Sequence, residues 1–152
     1  MATRVQDSVI VSTMDQIFIA EDNAADVNLL RIALRESLVE CELAVFCDGA
    51  AALAAVVEGS LRPALFILDV NLPNVNGMTI LSRIRTSTVF GRTPVIVWTT
   101  SEAPEDKMRS EKCGADRHVC KPTDLASFLR IGELVRQTIA AARPLADTNG
   151  LG

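Results

Sequence analysis

At 152 residues and 49% hydrophobic content, the chain has room for one domain with a sizeable core and none for a second. A net charge of −4, 4% aromatic residues and no basic cluster argue against a protein that grips DNA by its phosphates. Cys41, Cys47, Cys113 and Cys120 form no C-x-x-C pair and accompany a single histidine, and no apolar run approaches the ~20 residues a bilayer demands; the expectation is a cytoplasmic protein with neither zinc, dithiol nor membrane anchor.

Residues 1–15 read as an N-terminal arm, 16–143 as the folded domain and 144–152 as a flexible tail. Apolar runs begin at Ile17, Leu43, Leu65, Val95 and His118, with segments of helical spacing between them. The order is therefore five strand and helix units, an α/β alternation. The first helix starts behind Asn23 as N-cap and runs to about Val39, with Val27, Leu30, Leu34 and Leu38 as its buried stripe. An alanine-rich helix from Gly49 to Glu58 closes at Gly59. Asn71 to Gly77 is turn chemistry that hangs a loop over Asp69, and a third helix follows from about Met78 to Thr86. The last helix opens at Thr123 or Asp124 and stops at Pro144.

Four of the apolar runs end on reactive side chains: Glu21-Asp22, Asp69, Thr99-Thr100-Ser101, and Lys121. Strands of a parallel sheet carry their ligands just beyond their carboxyl ends, so these groups meet at one sheet edge. Three adjoining carboxylates repel one another unless a cation shares the site. Oxygen ligands few in number suit Mg2+, which keeps several waters and leaves room for phosphate oxygens. Asp69 is then placed to attack phosphorus and form an acyl phosphate, with Lys121 offsetting charge and the Thr99 hydroxyl bonding the phosphoryl group.

The runs Ile19-Ala20-Glu21-Asp22-Asn23, Ile67-Leu68-Asp69-Val70-Asn71-Leu72-Pro73 with Gly77, Pro94-Val95-Ile96-Val97-Trp98-Thr99, and Lys121-Pro122 resemble the receiver domain of two-component response regulators from about Gln16 to Ala142. The resemblance implies a flavodoxin-like (βα)5 fold with a parallel sheet in the order 2-1-3-4-5 and helices on both faces. It implies that Asp69 accepts a phosphoryl group from a sensor histidine kinase or phosphotransfer protein. Asp22 and Asp69 would hold Mg2+ directly, Asn71 through its carbonyl and Glu21 through water. Thr99 would be the switch hydroxyl and Lys121 the phosphoryl-binding lysine. Beyond this self-phosphorylation and slow loss of phosphate, no enzyme activity is expected. Glu21 to Asp26 and Trp98 to Ala103 further resemble the stand-alone receivers found with bacterial phytochrome kinases.

Two positions depart from the family pattern. His118 stands where an aromatic switch residue is usual, and is read either as a partly exposed strand residue or as a switch that titrates near pH 6.5. Thr100 stands where a small residue is usual, and its methyl narrows access to the phosphoryl pocket.

Rival readings are weaker. A haloacid-dehalogenase-type phosphatase would need an acid where Asn71 stands, Glu21-Asp22 would repel the phosphate of FMN, and no G-x-x-x-x-G-K loop is present. A phosphorylation-independent receiver scaffold leaves Asp69, Thr99 and Lys121 without a task. With no effector attached, output must pass through protein contacts. Apolar residues on the last helix span an arc wider than one core face needs, so Phe128, Ile131 and Val135 are candidates for a homodimer surface.

Overall fold

A computed structural model describes residues 15–143; the expected arm, apart from Asp15, and the expected tail lie outside the described residues. β1 spans Asp15–Ala20, β2 Cys41–Phe46, β3 Leu65–Asp69, β4 Val95–Thr99 and β5 Arg117–Cys120. Alternate residues of β1 face opposite ways: Phe18 and Ala20 join one core, Ile17 and Ile19 the other. With apolar side chains on both faces, such a strand is stable only between two helical layers. The strands pair in parallel in the order β2-β1-β3-β4-β5. This is the flavodoxin-like arrangement the resemblance implied.

Four of the five helices among the described residues begin where a side chain accepts from free N–H groups. Asn23 caps α1 (Ala24–Glu36), Asp48 caps α2 (Gly49–Glu58), Asn76 caps α3 (Gly77–Thr86) and Asp124 caps α5 (Leu125–Ala142). α4 (Pro104–Lys112) has no side-chain cap and opens on proline, whose missing N–H leaves one donor fewer to satisfy. The helices α2 and α3 cover the Phe18 face and α1 and α5 the Ile17 face. On the second face α5 crosses α1 very closely: a Cβ added at Gly132 would stand 2.1 Å from the Ala33 carbonyl oxygen.

One helix boundary differs from the expectation. α1 ends at Glu36 rather than near Val39, and Leu38 is 85% exposed instead of buried. Leu38 adopts a left-handed backbone (φ 59°) that reverses the chain into β2, so the 3.6-residue period stops before it. Ala33 takes the stripe position instead, fully buried.

At the amino ends of β4 and β5 the Arg85 guanidinium donates to the carbonyls of Gly114 (2.9 Å) and Thr93 (2.7 Å) and to Asp116 (2.8 Å). Asp116 in turn accepts from the Val95 N–H at 2.8 Å. This clasp pins the sheet at the pole opposite the clustered acids.

Candidate functional site

Parallel pairing with Asp69 beside Trp98 and Thr99 beside Cys120 brings the carboxyl ends of β3, β4 and β5 level. Glu21 and Asp22 follow β1 directly, and the Glu21 N–H is anchored on the Phe46 carbonyl at 3.0 Å. One carboxylate oxygen from each of Glu21, Asp22 and Asp69 lies within 4.8 Å of the others. Asp22 is exposed, whereas Glu21 is 0% and Asp69 5% exposed, so the cluster opens to water on one side only.

Lys121 enters this cluster from β5. Its Nζ stands 2.7 Å from Glu21 Oε1, 3.0 Å from Asp69 Oδ2 and 3.0 Å from Asp26 Oδ2. The ammonium also lies 5.0 Å from the centre of the Trp98 ring, within cation–π range. The Lys121 N–H donates to the Thr99 carbonyl at 2.7 Å, which ties the lysine to the buried threonine. Thr99 Oγ1 accepts from the Ser101 N–H at 3.2 Å, and Asp69 Oδ1 from the Asn71 N–H at 3.0 Å. The loop over Asp69 sits so close that a Cβ at Gly77 would fall 2.0 Å from the Asp69 carbonyl oxygen; only glycine fits.

Four carboxylates against one ammonium leave the site short of positive charge. Burial pushes the Glu21 carboxyl up to about 7, and the Asp69 charge adds to it; Lys121 and the Asn23 N–H pull the other way. Burial alone would lower Lys121, but bonds to Glu21, Asp26 and Asp69 outweigh it and hold the ammonium firmly protonated. Hard oxygen donors with an unmet charge fit a divalent cation of the Mg2+ class.

Of the residues singled out from sequence, Glu21, Asp22, Asp69, Asn71, Thr99 and Lys121 all come to this one edge. Thr100 is exposed just past β4, its carbonyl 4.0 Å from the Cys120 sulfur. His118 turns the other way: its Nδ1 lies 2.8 Å from the Oγ of buried Ser110 on α4, and it does not join the acidic cluster. Burial and then Lys107 lower its pKa, while Asp106 and Glu111 act against that.

The residues expected on a dimer surface are core residues. Phe128 (3% exposed), Ile131 (6%) and Val135 (0%) pack inward, Phe128 edge-on against Trp98 with ring centres 5.5 Å apart. The wide apolar arc of α5 is used up by two neighbours at once, the sheet and α1. Asp26 and Trp98 had no assigned role from the sequence. Asp26 reads there as an ordinary first-turn acid, and Trp98 as one more residue of a buried strand.

The model of the response regulator receiver domain matches residues 17–131. The chain belongs to this family. Response regulator Rcp1 of Synechocystis sp. is 32% identical over 120 residues, which cover 76% of this chain and 82% of Rcp1. The DNA-binding dual master transcriptional regulator RpaA of the same organism is 33% identical over 126 residues, and the chain spans only 51% of its length. Among solved structures, the Mn2+-bound form of Rcp1 superposes with a TM-score of 0.73 at 30% identity, covering 81% of this chain and 92% of that one. The phosphorylated cyanobacterial phytochrome response regulator RcpA gives 0.77 at 28% identity, covering 89% and 100%.

Proposed function

We propose that this receiver takes a phosphoryl group on Asp69 from a sensor histidine kinase or phosphotransfer protein and signals by changing its protein contacts. The observation that carries this reading is the Lys121 ammonium, 3.0 Å from Asp69 and beside carboxylates clustered within 4.8 Å, on a residue whose backbone N–H donates to the Thr99 carbonyl. In the transfer, the P–N bond of the donor's phosphohistidine breaks, its electron pair returns to the imidazole, and an Asp69 oxygen forms the new P–O bond. Glu21, Asp22, Asp69 and the Asn71 carbonyl would hold Mg2+, which when bound offsets charge on the phosphoryl oxygens. Lys121 bonds a phosphoryl oxygen, and the Thr99 hydroxyl turns to bond another.

The likeness to RcpA, described as a phytochrome response regulator, supports a place in a phytochrome pathway. This reading sets the protein beside its kinase in the cytoplasm; among the described residues no helix is long and apolar enough to cross a membrane. A homodimer cannot use Phe128, Ile131 and Val135 as its surface.

The test is phosphotransfer from a labelled kinase with Mg2+ to wild type, Asp69→Asn and Asp22→Ala. Asp69→Asn should retain no label and Asp22→Ala should be slow at limiting Mg2+. Label on Asp69→Asn at the wild-type level would overturn the assignment.

A further inference from the structure

An ammonium has three N–H donors and no more. Lys121 Nζ lies within 3.0 Å of three carboxylates: it donates to Asp69 and Asp26 and forms an ion pair with Glu21. Two of these partners belong to the cluster that fits a cation, with Asp22 as its third member; Asp26 stands outside that cluster, in the first turn of α1. Carboxylates therefore surround the lysine before any phosphoryl group arrives, and a phosphoryl oxygen must compete with them for it.

The three contacts differ in what it costs to break them. The Glu21 side chain is 0% exposed, and leaving it leaves a buried charge without its counter-ion. Asp69 is itself the atom group to which phosphorus would attach. The Asp26 side chain is 20% exposed, so water can replace the lysine there. Its carboxylate is the partner that can be given up.

We infer that Asp26 is a positioning residue that holds Lys121 at rest on the α1 side of the cleft and sets how readily the lysine is released to a phosphoryl group. The inference rests on the reading of Asp69 as phosphoacceptor. Asp26 acts in two ways in the same direction: it competes with the phosphoryl oxygens for the ammonium, and it adds a negative charge beside a dianion. Without that charge, Lys121 is left to Glu21 and Asp69, where it opposes a cation more strongly. Removal of the Asp26 charge thus has opposite effects on the two ligands, which a mere packing defect does not produce.

The variants are Asp26→Asn, of equal size without the charge, and Asp26→Glu, which keeps the charge. Both are made in the full chain and checked for folding by circular dichroism. Mg2+ alone is titrated by calorimetry. Beryllofluoride, a phosphoryl mimic, is then titrated at saturating Mg2+ and its bound fraction read by 19F NMR. Asp26→Asn should bind beryllofluoride about fivefold more tightly and Mg2+ alone about fivefold more weakly, the factor one partly solvated unit charge carries at such range. Asp26→Glu should return both towards wild type. Beryllofluoride affinity unchanged or weakened in Asp26→Asn, or an Asp26→Glu variant that behaves like Asp26→Asn, overturns the role given to Asp26. Failure of the wild type itself to bind beryllofluoride, no better than Asp69→Asn, overturns the phosphoacceptor reading instead.

Discussion

Burial of Glu21 couples the fold to proton concentration, and replacing it by glutamine isolates that coupling. Its carboxyl lies at about 7 in the folded chain against an ordinary 4.5, raised chiefly by burial. A raised folded-state pKa means the folded chain binds the extra proton more tightly than the unfolded one. Its stabilising share is therefore fully present below about 4.5 and is lost as pH rises through about 7. The whole shift is worth roughly 3 kcal/mol at about 1.4 kcal/mol per unit. Between about pH 5.5 and about pH 8, roughly 2 kcal/mol of it disappears.

Glu21→Gln carries no titrating group and loses nothing over that interval, so the wild-type minus Glu21→Gln difference in unfolding free energy should change by about 2 kcal/mol, or about 6–8 °C in Tm. The assay is thermal and urea unfolding with chelator present, at both pH values. Mg2+ should restore the wild type at the higher pH and do little at the lower, because proton and cation compete for the same carboxyl. A difference between the two proteins that stays constant from pH 5.5 to 8 would refute the reasoning.

Gly132→Ala places a methyl 2.1 Å from the Ala33 carbonyl, so α1 and α5 must separate; the expected loss is about 1–3 kcal/mol, read from the urea midpoint. Phe128→Asp should destabilise the domain itself by about 3–5 kcal/mol or more, since it empties a site against Trp98 and buries a charge; a fold as stable as wild type by circular dichroism would contradict the burial described. Thr100→Ala tests the expected narrowing of the phosphoryl pocket: on that account it should speed phosphorylation by acetyl phosphate more than transfer from the kinase, and equal rates for mutant and wild type with acetyl phosphate would reject it.

What could be read from sequence was whatever depended on nearest neighbours along the chain. Runs such as Leu65 to Leu68 announce strands buried on both faces, the sheet edge follows from parallel pairing, and Asn23 and Asp124 mark helix starts by their capping chemistry. The meeting of Glu21, Asp22, Asp69 and Lys121 is legible because each closes a strand of one sheet. Leu38 was misplaced because a chain reversal in the left-handed region leaves the hydrophobic period intact on paper. Phe128, Ile131 and Val135 were misplaced because the width of an apolar arc counts neighbours without telling whether they belong to the same chain. The Asp26 contact joins positions 95 residues apart, and nothing local in an acid of the first helical turn points to Lys121.

α4 contributes one buried residue, Ser110, whereas α5 contributes Phe128, Ile131, Gly132, Val135, Thr138 and Ile139. Substitutions therefore meet unequal selection on the two helices. On α5 almost any change of side-chain size along the inner stripe is felt in stability. On α4 most positions face water and can change at little cost, as long as Ser110 and the turn at Gly114 persist. α4 is therefore the helix whose outer surface can be rewritten with least disturbance of the core.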